Sequence, residues 1–237
     1  DETERNIVIN SFIALLYKLY DPNHQGIMGP LLERAIRNVM LTAMVDPEAT
    51  MIDVLRLFID EKYSKKFLDR VTDPLVRRYW TDEVANTSQS RKGETMGYFA
   101  SKFDRITTDS TMRNIIGQKK SSFNFDDIMA EKKILLVDLA KGKLGEENSN
   151  FLGLLLVPRI LTAALRRHQL KEDFPNFFLH VDEFQNFATP DFATILSEAR
   201  KYKLNLTVTH QFISQLPEDI KKAIFGNVGT ICAFRVG

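Results

Sequence analysis

Two adjacent carboxylates, Asp182 and Glu183, are the residues in this chain whose types and spacing most clearly suggest chemistry. They follow the apolar run 177–181, a pattern typical of a buried parallel strand that ends in two acids. In a nucleotide hydrolase, the first acid would hold Mg²⁺ and the second would polarise the water that attacks the γ-phosphate. The pair by itself equally fits a strand followed by an acidic turn, so the neighbouring segments have to decide.

Polar side chains also follow two other strand-like runs. Asp138 lies near the end of the run 134–139, and His210 with Gln211 follows the run 204–209. If these strands are parallel, all of these side chains reach the same edge of the sheet, where open α/β sheets bind their ligands.

Gln211 and Arg200 have side chains that could contact a phosphate. The amide of Gln211 can donate to a phosphate oxygen while it accepts from water, although a helix-capping or loop glutamine is the plainer interpretation. Arg200 precedes the run 204–209 by a few residues. It could reach a nucleotide held by a neighbouring subunit, although most arginines at such positions are solvated helix ends.

Strand-like and helix-like segments alternate after residue 130. This order predicts right-handed crossovers and a mainly parallel sheet with helices on both faces, which is an α/β core over residues 131–237. Strands are expected at 134–139, 176–181, 204–209 and 230–236, and helices at 150–168, 191–201 and 218–224.

The first 130 residues follow a different pattern. Their apolar residues recur at helical spacing, as in Phe12, Leu15 and Leu19, and they contain no convincing strand. Residues 1–130 are therefore predicted to form an all-α domain. The polar stretch 86–94 has turn formers and charges without periodic apolar residues, so we expect it to be an exposed loop.

The overall charge gives no sign of a nucleic-acid partner. The 237 residues carry a formal net charge of +1, so any surface that binds DNA must be local. Residues 91–120 contain seven basic and three acidic side chains, and this excess could contact phosphates. A solvated helix face is the default interpretation of the same residues.

Other features of the composition indicate a reducing, aqueous compartment. The one cysteine, Cys232, lies in an apolar run, so a packed thiol in the cytoplasm is expected rather than a disulfide. The longest apolar segment, 151–165, is shorter than the ~20 residues of a membrane span and contains Pro158 and Arg159. The chain has no signal peptide and no initiator Met, so we expect Asp1 to mark a cut inside a longer protein.

A phosphate cradle is missing from the sequence. None of its glycines lies in a G-x-x-x-x-G-K-[ST] arrangement, and the nearest approach is the stretch 141–145, Lys-Gly-Lys-Leu-Gly. This stretch lacks the hydroxyl that would bind Mg²⁺ and the spacing that would form a nest of backbone amides. The chain as written is therefore expected to bind ATP poorly.

Together these stretches resemble the TraG-like coupling ATPases of conjugative and type IV secretion systems, members of the HerA/FtsK group of hexameric P-loop DNA translocases. The helical runs 30–35 and 112–118 also look like the all-α domain that interrupts the motor core of that family. The motifs that carry the resemblance are 134–145 with the following Phe151-Leu152-Gly153, then 181–187, and then 198–202 leading to 209–211.

The resemblance implies that residues 131–237 are the C-terminal part of a RecA-like core whose phosphate loop lies upstream of Asp1. ATP and Mg²⁺ would be the cofactors of the intact protein. Asp182 and Glu183 stand at the Walker B positions, and Asp182 would bind Mg²⁺. Gln211 stands at the sensor position and Arg200 at that of a trans-acting arginine. Asp138 would join them at the nucleotide.

The expected function is therefore that of an ATP-driven homo-hexamer, cytoplasmic or anchored to the inner membrane, which moves DNA or a protein–DNA complex toward a secretion channel. The all-α domain 1–130 would recognise DNA, relaxase or effector proteins. One alternative is an adaptor whose helical domain binds such cargo without catalysis. The other is an unrelated metal-dependent hydrolase that uses Asp138, Asp182, Glu183 and His210.

Overall fold

The computed structural model describes residues 2–22, 25–167 and 174–234. By its internal contacts the chain divides into two compact units, Asp1–Ser122 and Phe123–Gly237. The sequence pattern placed the change at residue 130, whereas the helix Phe125–Ala130 belongs to the second unit. It does so because Asp126 pairs with Arg166 of a later helix at 2.6 Å.

The described residues of the first unit form helices and connecting turns, without a strand. Buried apolar side chains from its successive helices, such as Leu16, Ile36, Leu57 and Phe103, form its core. The helices are α1 (Glu2–Tyr20), α2 (Pro30–Ala43), α3 (Met51–Ile59), α4 (Glu61–Leu68), α5 (Pro74–Arg78), α6 (Gln89–Thr108) and α7 (Ser110–Ile116), with a π-helical turn at Tyr79–Val84.

Side-chain caps determine where several of these helices begin. Thr50 and Asp53 form a capping box at the start of α3, and Asp60 accepts from the backbone N–H of Tyr63 to start α4, so otherwise unpaired donors are satisfied. The Tyr63 hydroxyl donates to Asp53 at 2.6 Å. Burial and this hydrogen bond raise the pKa of Tyr63 to about 12, which keeps the hydroxyl protonated as the donor.

The expected loop at 86–94 is wrong for most of that stretch, because α6 already begins at Gln89. The C-terminal half of α6 is held in the core by Phe99 and Phe103. Phe99 stacks on Phe58 with ring centroids 3.7 Å apart. A helix nucleated by such contacts extends through polar residues that have no apolar periodicity of their own.

The second unit combines helices with a small sheet. Its helices are α8 (Phe125–Ala130), α9 (Lys141–Leu144), α10 (Glu146–Arg167), α11 (Pro190–Glu198) and α12 (Glu218–Asn227), and its strands are β1 (Phe177–Val181) and β2 (Leu204–Val208). Short 3₁₀ turns follow β1 at Phe184–Asn186, precede β2 at Ala199–Tyr202, and precede α12 at Ile213–Gln215.

β1 and β2 pair in parallel, with Phe177 opposite Leu204 and Val181 opposite Val208. The strands expected at 176–181 and 204–209, and their parallel direction, are thus confirmed. A parallel pair joined through α11 agrees with the α/β prediction, because parallel strands need a crossover connection. The RecA-like fold stays a prediction.

Among the described residues, helices and core cover only one face of the sheet. Phe177, Leu179 and Val181 belong to or pack against the hydrophobic core, whereas Phe178 on the opposite face is 63% exposed. The expectation of helices on both faces is not met in this part of the chain. His180 is exposed on the same open face. Its place before the acids in the alternation of the strand predicts a packed histidine on the other face of the sheet rather than a ligand, and that prediction is wrong.

The other two expected strands do not form in the described residues. Along 134–139, Ile134 and Leu136 are each 88% exposed, and no strand is assigned. The last run, 230–236, is described to residue 234 and also has no strand. A strand requires a neighbour to pair with, and in the described structure β1 and β2 pair only with each other.

Cys232 is exposed, so the prediction of a packed thiol is wrong. The prediction took the apolar run around Cys232 for a core strand. In the structure this segment lies off the core, and Phe234 nearby is 91% exposed.

The long helix α10 confirms the helix expected at 150–168 and extends it at its N-terminal end. Its length and composition would allow it to cross a membrane, but 56% of its most apolar window is buried inside the structure. Phe151, Leu154 and Ala163 are among its most buried residues. This burial is typical of the core helix of a folded domain.

Gly153 permits a close approach between α10 and the ring of Phe187, because a Cβ at this position would overlap the ring carbons. We expect Gly153→Ala to lower the free energy of unfolding by ~1–3 kcal/mol, since the buried ring has to move. Urea denaturation measures the change. As a control, Gly226→Ala in α12 adds a Cβ that meets nothing within 4 Å and should raise stability by ~0.5–1 kcal/mol. Equal effects of the two variants would contradict the contact with Phe187.

Candidate functional site

Backbone pairing between the two strands continues past their assigned ends. The N–H of Thr209 donates to Val181 O at 3.0 Å, and the N–H of Phe184 donates to Thr209 O at 2.9 Å. Phe184 is fully buried, and its ring lies 4.5 Å from that of Phe192. These contacts hold the turn after β1 against the turn after β2, so polar residues from both turns meet at the carboxyl edge of the sheet.

Asp182 is exposed and lies at the centre of the first polar contact. Its Oδ1 accepts a hydrogen bond from the hydroxyl of Thr209 and another from the backbone N–H of Glu183 at 3.0 Å. These bonds fix the orientation of the carboxylate. Thr209 had no role in the sequence prediction. It follows β2 directly and is brought to Asp182 by the parallel register.

Glu183 forms the second polar contact. Its Oε1 accepts from the side-chain amide of Gln211, and its Oε2 accepts from the side-chain amide of Gln185. The backbone of Glu183 is left-handed, with φ of 49°, a conformation that costs a non-glycine residue roughly 1 kcal/mol or more. The buried turn at Phe184 enforces it and turns the carboxylate toward Gln211.

Asp138 is not brought to this cluster by any hydrogen bond or ion pair in the described structure. Its carboxylate accepts from the backbone N–H of Ala140 at 3.0 Å and pairs with Lys143 at 3.2 Å. Lys141 pairs with Glu146 at 2.8 Å. Both ammonium groups of the stretch 141–145, the nearest sequence approach to a phosphate cradle, are thus engaged with carboxylates.

Arg200 and His210 make no hydrogen bond to Asp182 or Glu183 among the described residues. Arg200 is exposed on the 3₁₀ turn Ala199–Tyr202, which leaves its guanidinium in a position open to a neighbouring molecule. His210 is half-buried, and its Nδ1 is buried without a hydrogen-bond partner among the described residues.

The structure therefore joins three of the expected site residues, Asp182, Glu183 and Gln211, in one cluster. It adds Gln185, which the sequence reasoning missed. Gln185 lies two residues after Glu183, but this spacing alone gave no signal, because the left-handed backbone of Glu183 is what brings the amide to the carboxylate.

A family described as "TraM recognition site of TraD and TraG" matches residues 176–237. The matched segment is of the TraG/TraD type. This match confirms the resemblance to TraG-like coupling proteins that the motifs indicated. No curated protein and no solved structure matches the chain.

The whole hydrogen-bonded cluster lies inside the TraG/TraD-type segment. Asp182, Glu183, Gln185 and Gln211 fall within 176–237, and so does Arg200. Asp138 lies outside the segment, as does the first unit, so the match does not bear on either of them.

The donor set of the cluster fits part of a magnesium nucleotide site. Asp182 offers an exposed carboxylate, and Mg²⁺ in such sites is bound through one or two carboxylates plus substrate phosphates. Within the described residues, however, no group of three His, Cys, Asp or Glu side chains could hold a metal ion. The metal-dependent hydrolase that the sequence left open stays a prediction.

We expect the isolated chain to bind Mg²⁺ with a Kd weaker than ~1 mM, because one carboxylate without substrate phosphates gives Mg²⁺ too few ligands. Isothermal titration calorimetry measures this affinity. Tight, stoichiometric binding of Mg²⁺ or Zn²⁺ that is lost in Asp182→Asn would contradict the expected weak affinity. It would favour the metal-dependent hydrolase.

Proposed function

We propose that this chain supplies the Walker B and sensor residues of an ATP-driven, TraG-like coupling protein. The proposal is supported above all by the hydrogen bond between Glu183 and Gln211, because it joins the residue assigned to water activation to the residue assigned to γ-phosphate sensing. The match of residues 176–237 to TraD and TraG supports the same conclusion.

In this proposal, each residue of the cluster has a separate task. Asp182, oriented by Thr209, holds Mg²⁺ directly or through water, and bound Mg²⁺ neutralises charge on the β- and γ-phosphates. Glu183 orients and polarises the attacking water, and Gln211 donates to the γ-phosphate. Arg200, exposed on its turn, reaches the nucleotide of a neighbouring subunit.

In the described structure the stretch 141–145 does not form a phosphate cradle, because Lys141–Leu144 form the short helix α9 and both lysines are paired with acids. We propose that the cradle comes from another part of the intact protein. Asp138 lies beside Lys143, and its approach to the nucleotide would require that ion pair to open. The assembled protein would be a RecA-like homo-hexamer.

The cellular task proposed for the assembly is to deliver DNA or a protein–DNA complex to the components of a secretion channel. Its location would be the cytoplasmic side of the membrane. The first unit has no strand among its described residues, as expected of an all-α domain, and we propose that it recognises DNA, relaxase or effector proteins.

Glu183→Gln tests the enzymatic part of the proposal. In a protein that joins the phosphate-binding loop to this chain, we expect Glu183→Gln to lower kcat for ATP hydrolysis by roughly 10²-fold or more while nucleotide affinity stays unchanged, because the amide cannot polarise water. The control is Glu218→Gln, which removes an exposed carboxylate that pairs with Lys221 and should leave kcat unchanged. If Glu183→Gln hydrolyses ATP at the wild-type rate, Glu183 does not polarise the attacking water.

A second candidate function is partner recognition by the second unit. The matched family is described by the recognition of TraM, whereas the sequence reasoning expected partner recognition in the all-α domain. Phe225 on α12 is 58% exposed inside the matched segment, and exposed aromatic residues often anchor protein interfaces.

Binding to a TraM-type protein tests this second function. We expect Phe225→Ser to weaken the affinity of the chain for a TraM-type protein by about tenfold, because an exposed aromatic anchor is lost. Leu75→Ser is the control, since Leu75 is a comparably exposed apolar residue of the first unit. Surface plasmon resonance measures both. If Leu75→Ser weakens the affinity and Phe225→Ser does not, the result would support the adaptor function, in which the helical domain binds the cargo.

A further inference from the structure

The carboxylate of Glu183 is held by two amides, one on each oxygen. Gln185 donates to Oε2 and Gln211 donates to Oε1. Each oxygen of a carboxylate has two lone pairs that can accept, so each amide occupies one of the two acceptor positions on its oxygen. A water therefore cannot take the acceptor position on Oε1 that Gln211 occupies until that amide leaves.

The first amide belongs to a rigid part of the structure. Gln185 lies in the 3₁₀ turn Phe184–Asn186, and the turn is closed by the hydrogen bond from Asn186 N–H to Glu183 O at 3.0 Å. Phe184 is fully buried. Gln185 itself is half-buried, so its side chain has little freedom to turn away.

The orientation of the Gln185 amide is set by Glu183. With its Nε2 toward the carboxylate, its Oε1 is buried and has no hydrogen-bond partner among the described residues. The opposite orientation would place Oε1 against the negative carboxylate. The bond to Glu183 thus outweighs the unmet acceptor, which is typical of a hydrogen bond to a charged group.

The second amide belongs to an open part of the structure. Gln211 lies beyond β2, outside any helix or strand, and its side chain is exposed. Its neighbour Phe212 is 59% exposed. No packing holds Gln211 as the buried turn holds Gln185, so its amide can leave Glu183 for another acceptor.

We propose that Gln185 is a positioning residue for Glu183 and that Gln211 is the exchangeable partner. This inference rests on the proposed nucleotide-hydrolysing function. When Gln211 turns to a γ-phosphate, Oε1 of Glu183 becomes free while Gln185 keeps the carboxylate in place through Oε2. The acceptor position on Oε1 that the amide has left is then available to a water.

The arrangement also restrains Glu183 when no γ-phosphate is bound. Gln211 then remains on Oε1, so the residue that polarises water is occupied by an amide. Loss of Gln185 would remove the restraint on the carboxylate and let it follow Gln211 or solvent, which places it wrongly for the reaction.

Hydrogen exchange of the side-chain amides in this chain tests the bond between Gln185 and Glu183 without ATP hydrolysis. We expect the Nε2 protons of Gln185 to exchange about tenfold more slowly than those of Gln215, as for a hydrogen bond to a charged acceptor, and Glu183→Ala to abolish this difference. In Gln211→Leu the protection of Gln185 should persist. The inference that Gln185 holds Glu183 is wrong if the Gln185 amide is not protected in the wild type. It is also wrong if the protection survives Glu183→Ala.

Steady-state ATP hydrolysis tests the positioning role in the protein that carries the phosphate-binding loop. We expect Gln185→Met, which keeps the volume and removes the amide, to lower kcat by roughly ten- to a hundredfold while KM changes less than about twofold. Gln215→Met in the exposed turn before α12 is the matched control and should retain wild-type values.

The two experiments separate the failure of this inference from the failure of the proposed function. If the wild type does not hydrolyse ATP, the proposed function is wrong, and the amide exchange still decides whether Gln185 holds Glu183. If the wild type turns over and Gln185→Met behaves like Gln215→Met, the positioning role is wrong while the proposed function stands. A parallel rise in KM and loss of thermal stability would also reject it, because that result indicates a purely structural residue.

Discussion

The polar contacts that join the two turns of the candidate site depend on the parallel pairing of β1 with β2 and on its continuation past the ends of the strands. The bonds from Thr209 N–H to Val181 O and from Phe184 N–H to Thr209 O bring two stretches of chain together that are some 27 residues apart in sequence. The buried ring of Phe184 keeps the first turn on the core. Without this backbone pairing, Asp182 would lose Thr209 and Glu183 would lose Gln211.

The sequence predicted the parts of the second unit that follow from local patterns and one topological rule. Strand-like runs separated by a helical run predicted two parallel strands, and their shared direction predicted that Asp182, Glu183 and Gln211 would meet. The bond between Glu183 and Gln185 was not predicted, because it depends on a left-handed residue within a tight turn. Spacing alone gives no sign of that conformation.

Sequence reasoning failed where the outcome depends on neighbours. An apolar run such as 134–139 predicts a buried strand only if another strand lies beside it, and the sequence does not say whether that neighbour is present. The exposure of Cys232 follows from the same cause. The start of α6 within a polar stretch reflects packing of its far end through Phe99, which also lies beyond local pattern. The RecA-like completion of the sheet remains a hypothesis for this reason.

The unpaired edges of the two-stranded sheet restrict how it can grow. A further parallel strand cannot be added through a tight hairpin, since a parallel connection needs a dozen or more residues of crossover. The segment that contains Ile134 and Leu136 could supply such a strand. Both side chains are exposed to solvent, and their backbone polar groups lie outside any sheet. In a concentrated solution, this segment of one molecule could pair with the open sheet edge of another. The chain would then self-associate at high protein concentration while it is still folded.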